Sequence, residues 1–140
     1  MHETDIGKAV QLLDLIHDFF SDDAHWTRGC YDDGNGGHCL VGALLHLSRK
    51  HRLPAALAIS LLQDAMPRPG LPLVHFNDHR CGSLAELRSV IVKARRLAYD
   101  SAERERAAMA VKTWLLSQIE QKRIAVPASG EQFAPERLAA

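Results

Sequence analysis

The apolar residues of the first half of the chain recur at helical spacing in three segments. In residues 5–20 they recur every three or four positions, which predicts an amphipathic helix. Residues 39–50 begin with a nearly unbroken apolar run, which predicts a second helix at the centre of the core. A third helix is predicted over residues 54–65, with Pro54 in its first turn.

The second half of the chain carries a longer helical pattern. Ser83-Leu-Ala-Glu86 has the form of a capping box and predicts a helix that ends near Tyr99. A second possible cap, Asp100-Ser-Ala-Glu103, precedes a further helix over residues 101–123. No strict helix breaker separates the two, so the pattern also allows one continuous helix.

The connecting segments are polar or rich in proline. Residues 24–38 contain four glycines and no periodic apolar pattern, which indicates a loop. Residues 67–72 hold three prolines and are predicted to be a rigid connector, followed by a short extended segment at 73–76. The sequence therefore predicts an all-α or mainly-α bundle of four to five helices with at most one very short strand. We expect residues 1–124 to form a single domain and residues 125–140 a flexible tail.

The length, composition and charge of the chain argue against several classes of function. The 140 residues suit one ordinary domain, and 46% of them are hydrophobic, which is enough for a core. A formal net charge of zero argues against a nucleic-acid binder that neutralises phosphates broadly. No apolar run reaches the length of a membrane span, and the N-terminus lacks the features of a signal peptide. We expect a cytoplasmic protein, in which three cysteines would not form structural disulfides.

Cys39 is the first candidate for chemistry because it begins the predicted central helix. The positive end of the helix dipole favours a thiolate there. His75 or His79 could act as a base, and Asn77 or Asp78 could orient that base, so a cysteine-dependent hydrolase or transferase is one hypothesis. The alternative is that Cys39 is buried and only packs in the core, as free cysteines often do.

Zinc is a second hypothesis, although no paired ligand spacing supports it. The residues of a suitable type, if a metal binds, are Cys30, His38, Cys39, His79 and Cys81. Because these residues lack a CxxC pattern or two histidines spaced along a helix, we expect no cofactor and retain zinc as the alternative.

Two further groups of residues are candidates for binding. Trp26, Arg28, His38 and Asn77 are predicted to line a polar pocket between the 25–39 loop and the 75–81 turn. The alternative is that Trp26 covers the core and Arg28 pairs with a carboxylate. The apolar residues Trp114, Leu115 and Ile119 of the last helix could bind a protein partner or a second copy in a homodimer, or fold back on the core.

Several short motifs together resemble one family. They are Trp26-x-Arg28-Gly29, Cys39-Leu-Val-Gly42-Ala43-Leu44, Phe76-Asn77-Asp78, and a capped helix with Glu86-Leu-x-x-Val90 and Lys93-Ala94. This pattern is similar to DUF6197, a family of small bacterial and phage proteins of unknown function, over about residues 5–98. The resemblance implies no known activity. Where the family commonly has Arg-Thr-His, this chain has Arg80-Cys-Gly-Ser83, and the helix after Asp100 lies outside the family pattern.

Taken together, these patterns predict a small soluble protein that acts by binding or protein interaction. The alternatives are the cysteine-dependent enzyme and a small zinc-binding protein. Whether the protein is an enzyme stays open at this point.

Overall fold

The computed structural model describes residues 3–125, with side chains for residues 4–124. Five α-helical segments follow one another, and a short 3₁₀ turn, Asp23–His25, lies between the first two. The helices are α1 (Glu3–Phe19), α2 (Leu40–His51), α3 (Ala56–Asp64), α4 (Leu73–His75), which continues directly into a π-turn (Phe76–Arg80), and α5 (Leu84–Ala125).

The predicted mainly-α fold is confirmed, with one correction. Residues 73–76 were expected to be extended, but they form α4 and the start of the π-turn. The sequence allows either two helices or one over the last part of the chain, and residues 84–125 form one continuous helix. Within residues 3–125 the only strand-like pairings are isolated bridges from His38 to Trp26 and to Asp32. None of the described helices has the length and hydropathy needed to span a bilayer.

The chain divides into two compact units, one ending at Glu103 and the other beginning at Arg104. A single domain over residues 1–124 stays a prediction. The predicted tail lies outside the described residues except for Ala125, which is the last residue of α5.

The first unit is built around one apolar core to which every helix contributes. α1 packs against both α2 and α3, and α4 packs against α2. The first part of α5 joins this core with a stripe of buried residues that recur every three or four positions, as the sequence pattern predicts: Leu87, Val90, Ile91, Ala94, Ala98 and Ala102. An ion pair of 2.8 Å between Arg95 and Asp14 also links α5 to α1.

The start of α5 follows the predicted capping box. The backbone N–H of Glu86 donates to the Ser83 hydroxyl at 3.1 Å. The Glu86 carboxylate in turn accepts from the N–H of Gly82 at 3.0 Å, one residue before the usual partner. This cap fixes the point at which the chain leaves the π-turn and enters α5.

The loop before α2 lies directly on that helix at Gly42. A Cβ atom added at this position would lie 2.1 Å from the backbone oxygen of Tyr31, which is far inside van der Waals contact. The absence of a side chain at Gly42 therefore lets the loop backbone rest on the first turn of α2.

We expect Gly42→Ala to lower the free energy of unfolding by about 1–3 kcal/mol, because the loop backbone would have to move away. Gly7→Ala is the matched control, since Gly7 lies in α1 and a Cβ there meets nothing within 4 Å. That variant should gain about 0.5–1 kcal/mol from helix propensity. Urea denaturation followed by circular dichroism measures both. Equal stability of Gly42→Ala and the wild type would contradict the described contact.

Candidate functional site

Asn77 lies at the centre of the first unit's polar region. It belongs to the π-turn and is fully buried, next to the buried Phe76. The turn is closed by a bond of 2.8 Å from the N–H of Cys81 to the carbonyl of Phe76. The wider π geometry is common at functional sites, and here it carries a polar side chain into the protein interior.

The Asn77 amide joins three segments of the chain. Its oxygen accepts from the indole N–H of Trp26 at 2.8 Å and from the backbone N–H of Leu40 at 3.0 Å. Its nitrogen donates to the carbonyl of Thr27 at 3.0 Å and to the Asp78 carboxylate at 2.9 Å. These four bonds use the two donors and two acceptor positions of the side chain. All hydrogen-bonding positions of the Asn77 side chain are therefore filled by groups of the protein itself.

Asp78 and Arg28 extend this network to the surface. The Asp78 carboxylate accepts from the backbone N–H of Gly29 at 2.9 Å. That bond, together with the Asn77 amide, holds the pKa of Asp78 below its usual value. Arg28 donates to the carbonyl of Cys81 at 2.8 Å, and its guanidinium carbon lies 4.3 Å from the centre of the Trp26 ring. The hydrogen bond described for Arg28 is thus to a backbone carbonyl, while its charge still acts on Asp78.

A cleft of about 350 Å³ opens beside this network. It lies between the loop and the turn, where the sequence predicted a polar pocket. Its lining differs from the predicted set, however: Gly29, Cys30, Tyr31, Cys39, Val74 and Asp78. The structure therefore brings Cys39 and Asp78 of the proposed catalytic group together, with Cys30 of the proposed zinc ligands. Tyr31 and Val74 could not be identified from the sequence.

Cys39 is the N-cap of α2 and is only 2% exposed. Its sulfur accepts a hydrogen bond of 3.3 Å from the backbone N–H of Gly42. Burial raises the pKa of the Cys39 thiol and outweighs the lowering effect of that bond, and the Asp78 carboxylate raises it further. At this helix start, desolvation of the buried thiol has a larger effect on its pKa than the hydrogen bonds that favour a thiolate.

The two candidate bases lie at the surface. His75 and His79 are both exposed, and their ring centres are 5.0 Å apart. His75 lines a different cleft, formed with residues 68–72. The catalytic roles of Cys39, Asp78 and these histidines stay predictions, and the burial and raised pKa of Cys39 do not favour them.

His38 belongs to a group of aromatic side chains that no sequence motif indicates. Its ring stacks on that of His46 in α2, with centres 4.8 Å apart, and meets the edge of Phe19 at 5.4 Å. The ring of His25 also stacks on that of Phe19, with centres 4.8 Å apart. The Nε2 atom of His38 lies 3.7 Å from the Asp32 carboxylate. The only signal for this group in the sequence is the large number of histidines, eight in all.

The residues proposed as zinc ligands are not gathered at one point. Cys81 donates to the carbonyl of Ser83 at 3.2 Å, while His38 lies in the aromatic group. Among the side chains of residues 4–124, no group of three or more histidine, cysteine, aspartate or glutamate residues is arranged to hold a metal ion.

The residues proposed for protein interaction are exposed. In the second unit the exposed fractions are 59% for Trp114, 49% for Leu115 and 63% for Ile119. Every side chain described from Arg106 to Ile124 is exposed. This part of α5 therefore presents its apolar residues to solvent.

We expect the Cys30 thiol, which is exposed, to be alkylated much faster by iodoacetamide in the folded protein than those of Cys39 and Cys81, which are buried. Because burial raises the pKa of both buried thiols, their rates should continue to climb at pH values where the rate of an ordinary cysteine has levelled off. Peptide mass spectrometry at timed intervals, with a denatured sample as the control, measures each site. Rapid labelling of Cys39 near neutral pH would restore the nucleophile hypothesis.

We expect Asn77→Ala to lower the free energy of unfolding by about 2–4 kcal/mol, because it leaves the buried N–H of Leu40 and the carbonyl of Thr27 without their partner. Asn35→Ala is the matched control, since Asn35 is exposed and its described bond uses its backbone N–H. That change should stay within about 0.5 kcal/mol. Denaturant unfolding monitored by circular dichroism tests this, and equal losses in the two variants would overturn the assignment.

Comparisons with known proteins agree with the motif pattern. No curated protein and no solved structure is significantly similar to the chain. The model of DUF6197, a family of unknown function, matches residues 7–97, which is well over half of the chain. The match includes Trp26, Cys39 and Asn77 and ends before the second unit. The chain therefore belongs to the DUF6197 family.

Proposed function

We propose that this protein is a protein-binding domain whose binding surface is the apolar face of α5 between residues 107 and 119, here called the 107–119 face. The observation that carries the proposal is the exposure of Val111, Trp114, Leu115 and Ile119 on one side of a helix. Contiguous exposed apolar surface with a large aromatic residue is typical of a protein interface.

Helical spacing places these four residues together. Val111, Leu115 and Ile119 follow one another at intervals of four, and Trp114 lies three positions after Val111. Such a face binds in the groove of a partner through anchors at i, i+3, i+4 and i+8. Binding in this way would bury the indole and two or three aliphatic side chains. Each Å² of apolar surface removed from water contributes about 25 cal/mol of favourable free energy.

The charges around this face indicate the chemistry of the partner. Residues 104–124 contain more basic than acidic side chains: Arg104, Arg106, Lys112, Lys122 and Arg123 against Glu105 and Glu120. Positions 104, 108, 111, 115, 118 and 122 follow one line along the helix, so Arg104 and Lys122 lie at the two ends of the apolar face.

This arrangement disfavours pairing with a second copy. In a parallel pair Arg104 would meet Arg104 and Lys122 would meet Lys122, and in an antiparallel pair Arg104 would meet Lys122. Like charges oppose each other in both orientations. An apolar groove with an acidic rim complements the face instead, so we propose an acidic protein as the partner.

The cysteine-dependent alternative has less support. Cys39 is buried, and its pKa is raised rather than lowered. An interaction role requires no such chemistry and accounts for the exposed apolar residues directly.

The proposal can be tested by site-specific photo-crosslinking of the full chain in the cells that produce it. A benzophenone side chain at position 118, in line with the apolar residues, should crosslink to an acidic protein. The same group at position 8, exposed on α1, should not. The identified partner, once purified, should bind the wild type with an affinity that falls as the salt concentration rises.

Variants of the 107–119 face then distinguish specific binding from nonspecific hydrophobic association. Trp114→Ala should weaken binding at least about tenfold, as expected for a central aromatic anchor. Met109→Ala is the matched control, because Met109 has the same exposed fraction of 59% and lies on another side of the helix. Crosslinks only between copies of this chain, crosslinks only to lipid, or equal binding by the two variants would overturn the proposal.

A further inference from the structure

The cleft beside Asn77 contains two thiols with different exposure. Cys30 is exposed, whereas Cys39 is 2% exposed, and both line the same cleft. We propose that Cys30 and Cys39 are a redox pair: hydrogen peroxide oxidises Cys30, and Cys39 resolves the product as a Cys30–Cys39 disulfide.

The backbone brings these two residues together. Asp32 pairs with His38 in an antiparallel bridge, and the N–H of Asp33 donates to the carbonyl of Gly37 at 3.0 Å. Cys30 lies two residues before Asp32, and Cys39 directly follows His38, so this pairing holds both cysteines at the same end of the 33–37 turn. A disulfide joins residues whose Cα atoms are about 4–7 Å apart.

The contact at Gly42 supports the same placement independently. The backbone oxygen of Tyr31 rests on Gly42, and the N–H of Gly42 donates to the Cys39 sulfur. The residue that follows Cys30 therefore lies on the helical turn that holds the Cys39 thiol.

The difference in exposure sets the order of the two steps. Peroxide reaches Cys30 first, the O–O bond breaks, and Cys30 becomes a sulfenic acid with release of one water. The sulfur of Cys39 then attacks the sulfenic sulfur, its proton leaves with the departing hydroxyl, and a second water forms. Two thiols and one peroxide thus give one disulfide and two waters.

Proximity compensates for the low acidity of Cys39. Burial makes this thiol a poor target for reagents in solution, but a sulfenic acid held in the same cleft faces it at a high effective concentration. Cys39 therefore acts as the resolving thiol, while Cys30 is the thiol that meets the oxidant.

Cys81 provides an internal control for this chemistry. It is buried like Cys39, at 4% exposed, and burial raises its pKa in the same way. Its sulfur donates to the carbonyl of Ser83, and it does not contribute to the lining of the cleft that contains Cys30. If burial alone decided the outcome, Cys39 and Cys81 would behave alike.

The test treats the reduced full-length protein with one equivalent of hydrogen peroxide and then alkylates the remaining thiols. Peptide mass spectrometry without reduction should show a Cys30–Cys39 link within one chain. Cys81 should be alkylated, which shows that it formed no disulfide. A thiol reductant should restore all three thiols. The link should be lost in Cys30→Ser and in Cys39→Ser and kept in Cys81→Ser.

The wild-type pattern decides the question even where a variant folds poorly. Cys30 recovered as sulfenic or sulfinic acid beside a free Cys39 would overturn the proposal. A Cys30–Cys81 link, or a link only between chains, would overturn it as well. Because these residues lie in the first unit and the proposed binding face in the second, either proposal can fail without the other.

Discussion

The side chain of Asn77 is the interaction on which the polar half of the first unit depends. A buried amide without partners would oppose folding, yet here all its hydrogen-bonding positions are filled by Trp26, Thr27, Leu40 and Asp78. Three of these bonds join the loop and the start of α2 to the π-turn. The loop before α2, which has little apolar side chain to bury, is thereby fixed against the helical core.

The cleft follows from this arrangement. With the loop fixed on one side by Asn77 and Asp78, and on the other by the contact at Gly42, Cys30 and Cys39 line a common space. The histidines around Phe19 hold the outer part of the same loop. The matched family range ends at residue 97, so the cleft belongs to the family part of the chain, whereas the 107–119 face lies beyond it.

The helices could be predicted from the sequence because their causes are local. Apolar spacing located α1, α2 and the first part of α5, and the Ser83–Glu86 box located the start of α5. Residues 73–76 are predicted to be extended, but they form α4 and enter the π-turn, where Phe76 and Asn77 are buried by contacts that a local pattern does not contain. Burial of Cys39 is one of the two alternatives that the sequence allows, and the choice between them depends on the whole fold rather than on the local helix start. The joint lining of the cleft by Cys30 and Cys39 is likewise a tertiary property.

Hydrogen exchange tests most directly whether Asn77 makes the loop part of the folded core. The informative protons are the backbone N–H of Leu40 and the indole N–H of Trp26, which both donate to Asn77. The account predicts that the Leu40 amide exchanges as slowly as the core amides of α2, and that the Trp26 indole is far slower than an exposed indole. The N–H of Gly34, bonded to Asp32 within the exposed turn, is the reference for local opening. Exchange of the Leu40 amide as fast as that of Gly34 would contradict the account, because it would show that the loop opens independently of the core.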